Sequence, residues 1–134
     1  HTEAREQGCR EAARVLRPGG RFVFTDPMQA DDAAPESLQA IYDRLHLTSL
    51  ASPSFYREVL GACAMSEIAF EEQPEQLSRH YARVREVLVE NADRLRELGM
   101  SDDYLRRMAS GLSHWVEGGR NGTLTWGIFV FEKT

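Results

Sequence analysis

Long apolar runs are missing from this sequence. None of its 134 residues belongs to a stretch approaching the roughly 20 that a membrane helix needs, and no secretory leader pattern opens it. No membrane partner is expected, and a cytoplasmic location is the default. Excess positive charge is missing too: 16 Lys and Arg face 21 Asp and Glu, the formal net charge is -5, and no basic arm is present. Binding to nucleic acid rests on neutralising phosphates with Lys and Arg, so nucleic acid is not an expected partner either. Cysteine is scarce. Cys9 and Cys63 lie on separate helical segments without metal-ligand spacing, so no metal is expected and both read as small buried side chains. Internal repeats and a linker that would divide the chain are also absent. What remains is one domain at most, 42% hydrophobic and 28% charged, long enough to bury a core.

The centre of the chain is the run RVLRPGGRFVFTDPM at residues 14–28. Val15 and Leu16 end a helical stripe, Pro18, Gly19 and Gly20 break it, and Phe22, Val23 and Phe24 switch the pattern to a strand. That strand, read over 21–25, is almost wholly apolar, as a strand covered on both faces by helices would be. Asp26, Pro27 and Met28 form its polar tip. In an open α/β sheet ligands sit outside the carboxyl ends of the strands, so Thr25 to Met28 is the first place to look for chemistry.

Around this strand the pattern predicts a helix over 2–16 and, after the loop QADDAAPES, a short helix starting near Glu36 or Ser37 with Leu38, Ile41, Tyr42 and Leu45 on one face. Ser52 and Pro53 then cap and open a helix that buries Phe55, Tyr56, Val59, Leu60 and Cys63. A second strand is read over 65–70, followed by long helices over 76–98 and 101–116, the first closed by Gly99 and the second capped by Ser101. The turn-rich link EGGRNG leads to a last strand over 123–132, rich in aromatic and β-branched residues. Three strands are few for a complete α/β domain of this length, whose sheet usually carries about five or six. The chain also opens directly in a helical pattern with no strand before it, which reads as a start inside a larger domain.

The run EAARVLRPGGRFVFTDP resembles the post-catalytic motif of class I S-adenosylmethionine-dependent methyltransferases, where a helix and a Pro-Gly-Gly turn lead into the fifth strand of a seven-stranded Rossmann-like sheet. The further combination of TDPM, IYDRLHL, SPSFYREV, LSRHYARVREVL and HWVEGGRNGTLTWGIFVFEK resembles, over nearly the whole chain, the C-terminal half of sarcosine and dimethylglycine N-methyltransferases, the enzymes that make glycine betaine, an osmoprotectant. A looser likeness extends to phosphoethanolamine methyltransferases. The resemblance implies an α/β fold: a single partial domain over 1–134 whose three strands are the fifth, sixth and seventh, with a helical substrate lid over 74–122 between the last two. It implies S-adenosylmethionine as cofactor and a small amino-acid amine as substrate. The family's glycine-rich loop belongs to an N-terminal half absent from this sequence, and Gly118, Gly119 and Gly122 follow a helix rather than a strand. The chain alone is therefore expected to be inactive and to need that half, or a second copy, beside its first strand. Two other readings stand beside this one: methylation of another small amine such as phosphoethanolamine, and a non-catalytic dimerisation or interaction module.

Methyl transfer to an amine is an in-line displacement that depends mainly on positioning and exclusion of water. A tertiary amine needs no general base once neutral, so no catalytic residue is assigned. The substrate carboxylate needs a cation or donors, and the nitrogen that becomes positive needs aromatic faces. Arg44 is the first candidate for the carboxylate, as a planar bidentate donor, and is otherwise a solvated surface arginine. By the resemblance, His46 falls where the phosphoethanolamine enzymes hold a phosphate-binding cation. Tyr42 offers a hydroxyl or packs in the core. His80 and Tyr81 match the aromatic pair that begins the family's lid helix, though Tyr81 also fits the apolar stripe. Met28 lies at the strand tip beside Asp26, which reads as a turn acid. Trp115 and Trp126 read as core, and Glu71 and Glu72 as solvated.

Overall fold

The switch from helix to strand falls at the Pro-Gly-Gly turn. Gly19 takes a φ of 80° there, a conformation open to glycine at no steric cost. Its N–H donates to the Lys133 carbonyl at 2.8 Å, which pins the turn to the end of the last strand. The computed structural model describes residues 2–134. The order is α1 (Thr2–Val15), β1 (Arg21–Gln29), α2 (Pro35–Leu45), α3 (Pro53–Ala62), β2 (Met65–Glu72), α4 (Pro74–Glu90), α5 (Ala92–Glu97), α6 (Asp102–Arg120) and β3 (Leu124–Lys133). The strands form one sheet in the order β1-β3-β2, with β3 antiparallel to both neighbours. The last strand thus lies between the other two, as the resemblance implies for the fifth, seventh and sixth strands. No described helix is long and apolar enough to cross a membrane.

Several expected boundaries need correction. β1 does not stop at Thr25 but runs to Gln29, with Asp26, Pro27 and Met28 in register with Gly127, Trp126 and Thr125. Proline is tolerated there for a geometric reason. The Gln29 N–H donates to Ala51 O at 2.9 Å, away from β3. Because N–H groups alternate sides along a strand, the donor that Pro27 lacks would also point away from β3, and no ladder bond is lost. Nor is β1 covered on both faces: Phe22 and Phe24 pack inward while Val23 is 58% exposed. The helix expected over 76–98 breaks at Asn91, whose side-chain amide donates to Val87 O at 2.8 Å beside its own backbone N–H at 3.1 Å. Its start moves back to Pro74, a favoured first helical residue. Likewise α2 begins at Pro35. The Ser52 and Ser101 caps form as expected, accepting from Phe55 N–H and Tyr104 N–H.

The link EGGRNG is not all turn. α6 continues through Gly118 and Gly119 to Arg120, leaving the turn to Asn121 and to Gly122, which has a φ of 82°. The two helical glycines are spacers: a Cβ on Gly118 would lie 2.6 Å from Leu124 Cδ1, and one on Gly119 2.5 Å from Ser78 Oγ. They let α6 close against β3 and α4.

The sheet carries a core on each face. Cys9 and Ala13 of α1, Tyr56, Val59 and Leu60 of α3, and Met28, Met65, Phe129 and Phe131 of the strands fill one. Cys63 packs against it, so both cysteines are small packing residues as read from the sequence. Ile41, Leu77 and Leu124 centre the other, with Tyr42, Tyr81, Trp115 and Trp126 packed around them.

Candidate functional site

The strand tip comes apart by face. Met28 is 0% exposed, enclosed in the α1/α3 core. Asp26 is a mid-strand residue rather than a turn acid, and it accepts a hydrogen bond from the Tyr56 hydroxyl at 2.7 Å. Burial pushes the Asp26 carboxyl above its ordinary 3.8, while that hydrogen bond and the Arg5 charge act the other way. Burial and the neighbouring Asp26 hold the Tyr56 phenol well above its usual range, so it is neutral near pH 7 and serves as the donor of the pair. It ties α3 to β1.

Pro27, on the opposite face, helps line a cavity of about 430 Å³ together with Gln73, Gln76, Leu77, His80, Tyr81 and Trp126. Local pairing builds it. Pro27 and Trp126 are cross-strand partners, and the Gln73 N–H donates to Trp126 O at 2.8 Å, which sets the start of α4 against the sheet. About two turns later α4 presents His80 and Tyr81, whose rings meet edge to face at 5.0 Å. Tyr81 in turn stacks on Trp115 of α6, with centroids 4.9 Å apart and planes 20° from parallel. Burial, then the Asp26 charge, raises the Tyr81 hydroxyl above its ordinary value, so this ring is neutral near pH 7. Three aromatic or imidazole rings and two side-chain amides thus converge at the carboxyl end of β1.

Arg44 and His46 lie elsewhere. They line a groove of about 510 Å³ between the end of α2 and α6, with Tyr104, Arg107, Ser110 and Trp115. Arg44 is exposed in the last turn of α2; His46 follows in the left-handed region at φ 54°, its N–H donating to Tyr42 O. Tyr42 acts as a tether below them. Its hydroxyl donates to Gln29 Oε1 and accepts from Leu50 N–H at 3.3 Å, joining α2 to the end of β1. The six residues singled out from the sequence therefore divide: His80 and Tyr81 meet in the cavity, Arg44 and His46 meet in the groove, Tyr42 tethers, and Met28 is core. The Tyr81–Trp115 stack stands between cavity and groove, one ring lining each.

Sequence reasoning named Pro27 only as part of the tip over 25–28, did not single out Gln73, Gln76 or Arg107, and read Trp126 as core. The Pro27–Trp126 pairing depends on a register between residues 99 positions apart, which no local signal carries. Among the described residues no group of three His, Cys, Asp or Glu side chains is arranged to hold a metal ion.

No family model matches the chain. A curated relative from Halorhodospira halochloris, the sarcosine/dimethylglycine N-methyltransferase, is 50% identical over 133 residues, which is 99% of this chain and 47% of that protein. This chain is a homologue of that methyltransferase. It spans about half the length of the curated relative. A Galdieria sulphuraria crystal structure, provisionally named a sarcosine dimethylglycine methyltransferase, superposes on this homologue with a TM-score of 0.85 at 35% identity, over 96% of this chain and 47% of that one. The Haemonchus contortus phosphoethanolamine N-methyltransferase 2, solved with phosphomonomethylethanolamine and S-adenosylhomocysteine, superposes at 0.77 and 16% identity, over 96% of this chain and 29% of that one, and shares the fold. The sheet and its helices are those of a class I methyltransferase and are consistent with its C-terminal half.

Among the described residues no glycine-rich turn follows the carboxyl end of a strand, and the space that Gly118 and Gly119 leave is filled by Leu124 and Ser78.

Proposed function

We propose that this chain is the amine-binding half of an S-adenosylmethionine-dependent N-methyltransferase that acts on sarcosine or dimethylglycine on the way to glycine betaine. Residues 74–122 are its lid, and the chain does not turn over without the half that binds the cofactor. The observation that carries this reading is the cavity at the end of β1, in a chain 50% identical to a methyltransferase of that specificity. S-adenosylmethionine, bound by the complete enzyme, supplies the electrophilic methyl group. Everything else asked of this chain is binding and orientation.

Tyr81 and Trp126 offer ring faces to the substrate nitrogen, which gains positive charge as it is methylated, and a ring face attracts that charge by about 0.5–2 kcal/mol. The His80 imidazole and the amides of Gln73 and Gln76 are the donors for the carboxylate. Among the described residues no acid lines the cavity, so the amine meets there no carboxylate that would hold it protonated and block its lone pair. The nitrogen needs no general base in the tertiary case. Leu77 and the Tyr81–Trp115 stack supply a stiff apolar wall that excludes water.

The test is a chimaera in which this chain replaces the matching segment of the Halorhodospira halochloris relative. It should methylate sarcosine or dimethylglycine, and Tyr81→Leu should raise the amine KM at least tenfold with the cofactor KM unchanged. A folded chimaera that transfers methyl to neither amine contradicts the assignment.

A further inference from the structure

The groove between α2 and α6 differs from the cavity in its charge. Arg44, His46 and Arg107 line it, and among the described residues no acidic one does, in a chain whose net charge is -5. Some arginines elsewhere sit on carboxylates of other segments, as Arg21 does on Glu132 at 3.1 Å and Arg57 on Glu67 at 2.8 Å, while Arg14 and Arg83 sit on carboxylates of their own helices at 2.8 and 2.7 Å. Arg44 has no carboxylate partner among the described residues, and Arg107 reaches only Asp103 on its own helix, at 3.5 Å with both side chains more than two-thirds exposed. Two guanidiniums from different helices border one groove, and a bidentate carboxylate is the group their planar forks fit. The groove also has the complement of such an anion. Trp115 has one face covered by Tyr81, which leaves the other for the groove, and Tyr104 lies nearby. A ring face next to a pair of guanidiniums matches a small molecule with a methylated ammonium at one end and a carboxylate at the other.

We infer that this groove is a second binding site for a methylammonium carboxylate, separate from the cavity at the end of β1 and backed onto it through the Tyr81–Trp115 stack. The inference rests on the proposed function for its ligand class. Arg44 and Arg107 hold the carboxylate with His46 at the rim, and Trp115 receives the ammonium. Because Trp115 backs Tyr81, a molecule in the groove presses on the wall of the substrate cavity.

The chain's two tryptophans report the two places separately. In the 134-residue chain carrying Trp126→Phe, glycine betaine should change Trp115 emission saturably, and Arg107→Ala should weaken that binding at least tenfold, with Arg107→Lys falling between. Acetate and tetramethylammonium, each carrying half of the ligand, should bind more weakly than glycine betaine. Arg107 is exposed, so its replacement should leave far-UV circular dichroism unchanged. In the chimaera, Arg107→Ala should leave the amine KM within twofold. An unresponsive Trp115, a dissociation constant indifferent to Arg107, or phosphate binding better than glycine betaine would overturn the inference. So would a large rise in the amine KM, because the groove would then belong to the substrate site itself. Failure of the proposed function reads out differently, as a chimaera that transfers methyl to neither amine.

Discussion

On one face of the sheet the aromatic rings leave no room. Phe129 stacks on Phe70 at 4.2 Å and on Phe24 at 5.0 Å, and α1 and α3 close over them with Cys9, Ala13 and Leu60. On the other face α4 and α6 touch the sheet only near the start of β3, through Leu77 and Leu124, and leave a cavity of about 430 Å³ on one side of an aromatic stack and a groove of about 510 Å³ on the other. The same residue types are used on both faces, so aromatic content does not distinguish a core from a site. The difference lies in the spacing of the elements. Where a helix lies flat on the strands, rings fill the gap; where two helices are held off by a pair of stacked rings, the rings become walls.

The sharpest way to break this contrast is on the packed face. Phe129→Ala removes a ring that is 0% exposed and in contact with Phe24, Tyr56, Phe70 and Phe131, and should cost about 3–5 kcal/mol in chemical denaturation. A loss under 1 kcal/mol would mean that this face is no more closely packed than the other. Next comes a pair within α6. Gly118→Ala places a methyl against Leu124 and Ile41 and should destabilise by about 1–3 kcal/mol. Gly111→Ala meets nothing within 4 Å and should stabilise the helix by about 0.5–1 kcal/mol. If both shift the urea midpoint in one direction, Gly118 is not a spacer.

Ser101→Ala tests the solvent side of the second face. It removes the acceptor for Tyr104 N–H at the start of α6 and should cost about 1 kcal/mol, with Trp115 emission unchanged.

The smallest effect is a pH slope on the packed face. Asp26 holds its proton more tightly folded than unfolded, so the folded chain binds more protons just above the ordinary value of 3.8. Stability should therefore fall as pH rises from 3.8 through the raised folded value. Asp26→Asn, which can still accept from Tyr56, should flatten that fall in urea melts between about pH 4 and pH 7. An unchanged slope would place the titration on another group.

Local signals made the elements legible, and long-range pairing hid the site. The Pro-Gly-Gly switch, the Ser52 and Ser101 caps and the i, i+3, i+4 stripe of α2 act within a few residues, and each formed where its residues predicted. Two departures have local causes too: the Asn91 side chain adds a second hydrogen bond to Val87 O where the helix breaks, and Gly118 and Gly119 look like turn residues until Leu124 and Ser78 come against them. Of the site, His80 and Tyr81 were visible by resemblance. Gln73, Trp126 and Pro27 were not, because only the register between β1 and β3 brings Pro27 and Trp126 together. The cavity proposed for the substrate lies at the end of β1, on the face of Pro27 rather than that of Met28.

A crystal structure of the chimaera with dimethylglycine and S-adenosylhomocysteine bound tests the central claim most directly. The account predicts the substrate nitrogen in the cavity at the end of β1, against the rings of Tyr81 and Trp126, with the carboxylate toward His80 and the two glutamines. Dimethylglycine lying instead between Arg44 and Arg107, with that cavity holding only water, would contradict it.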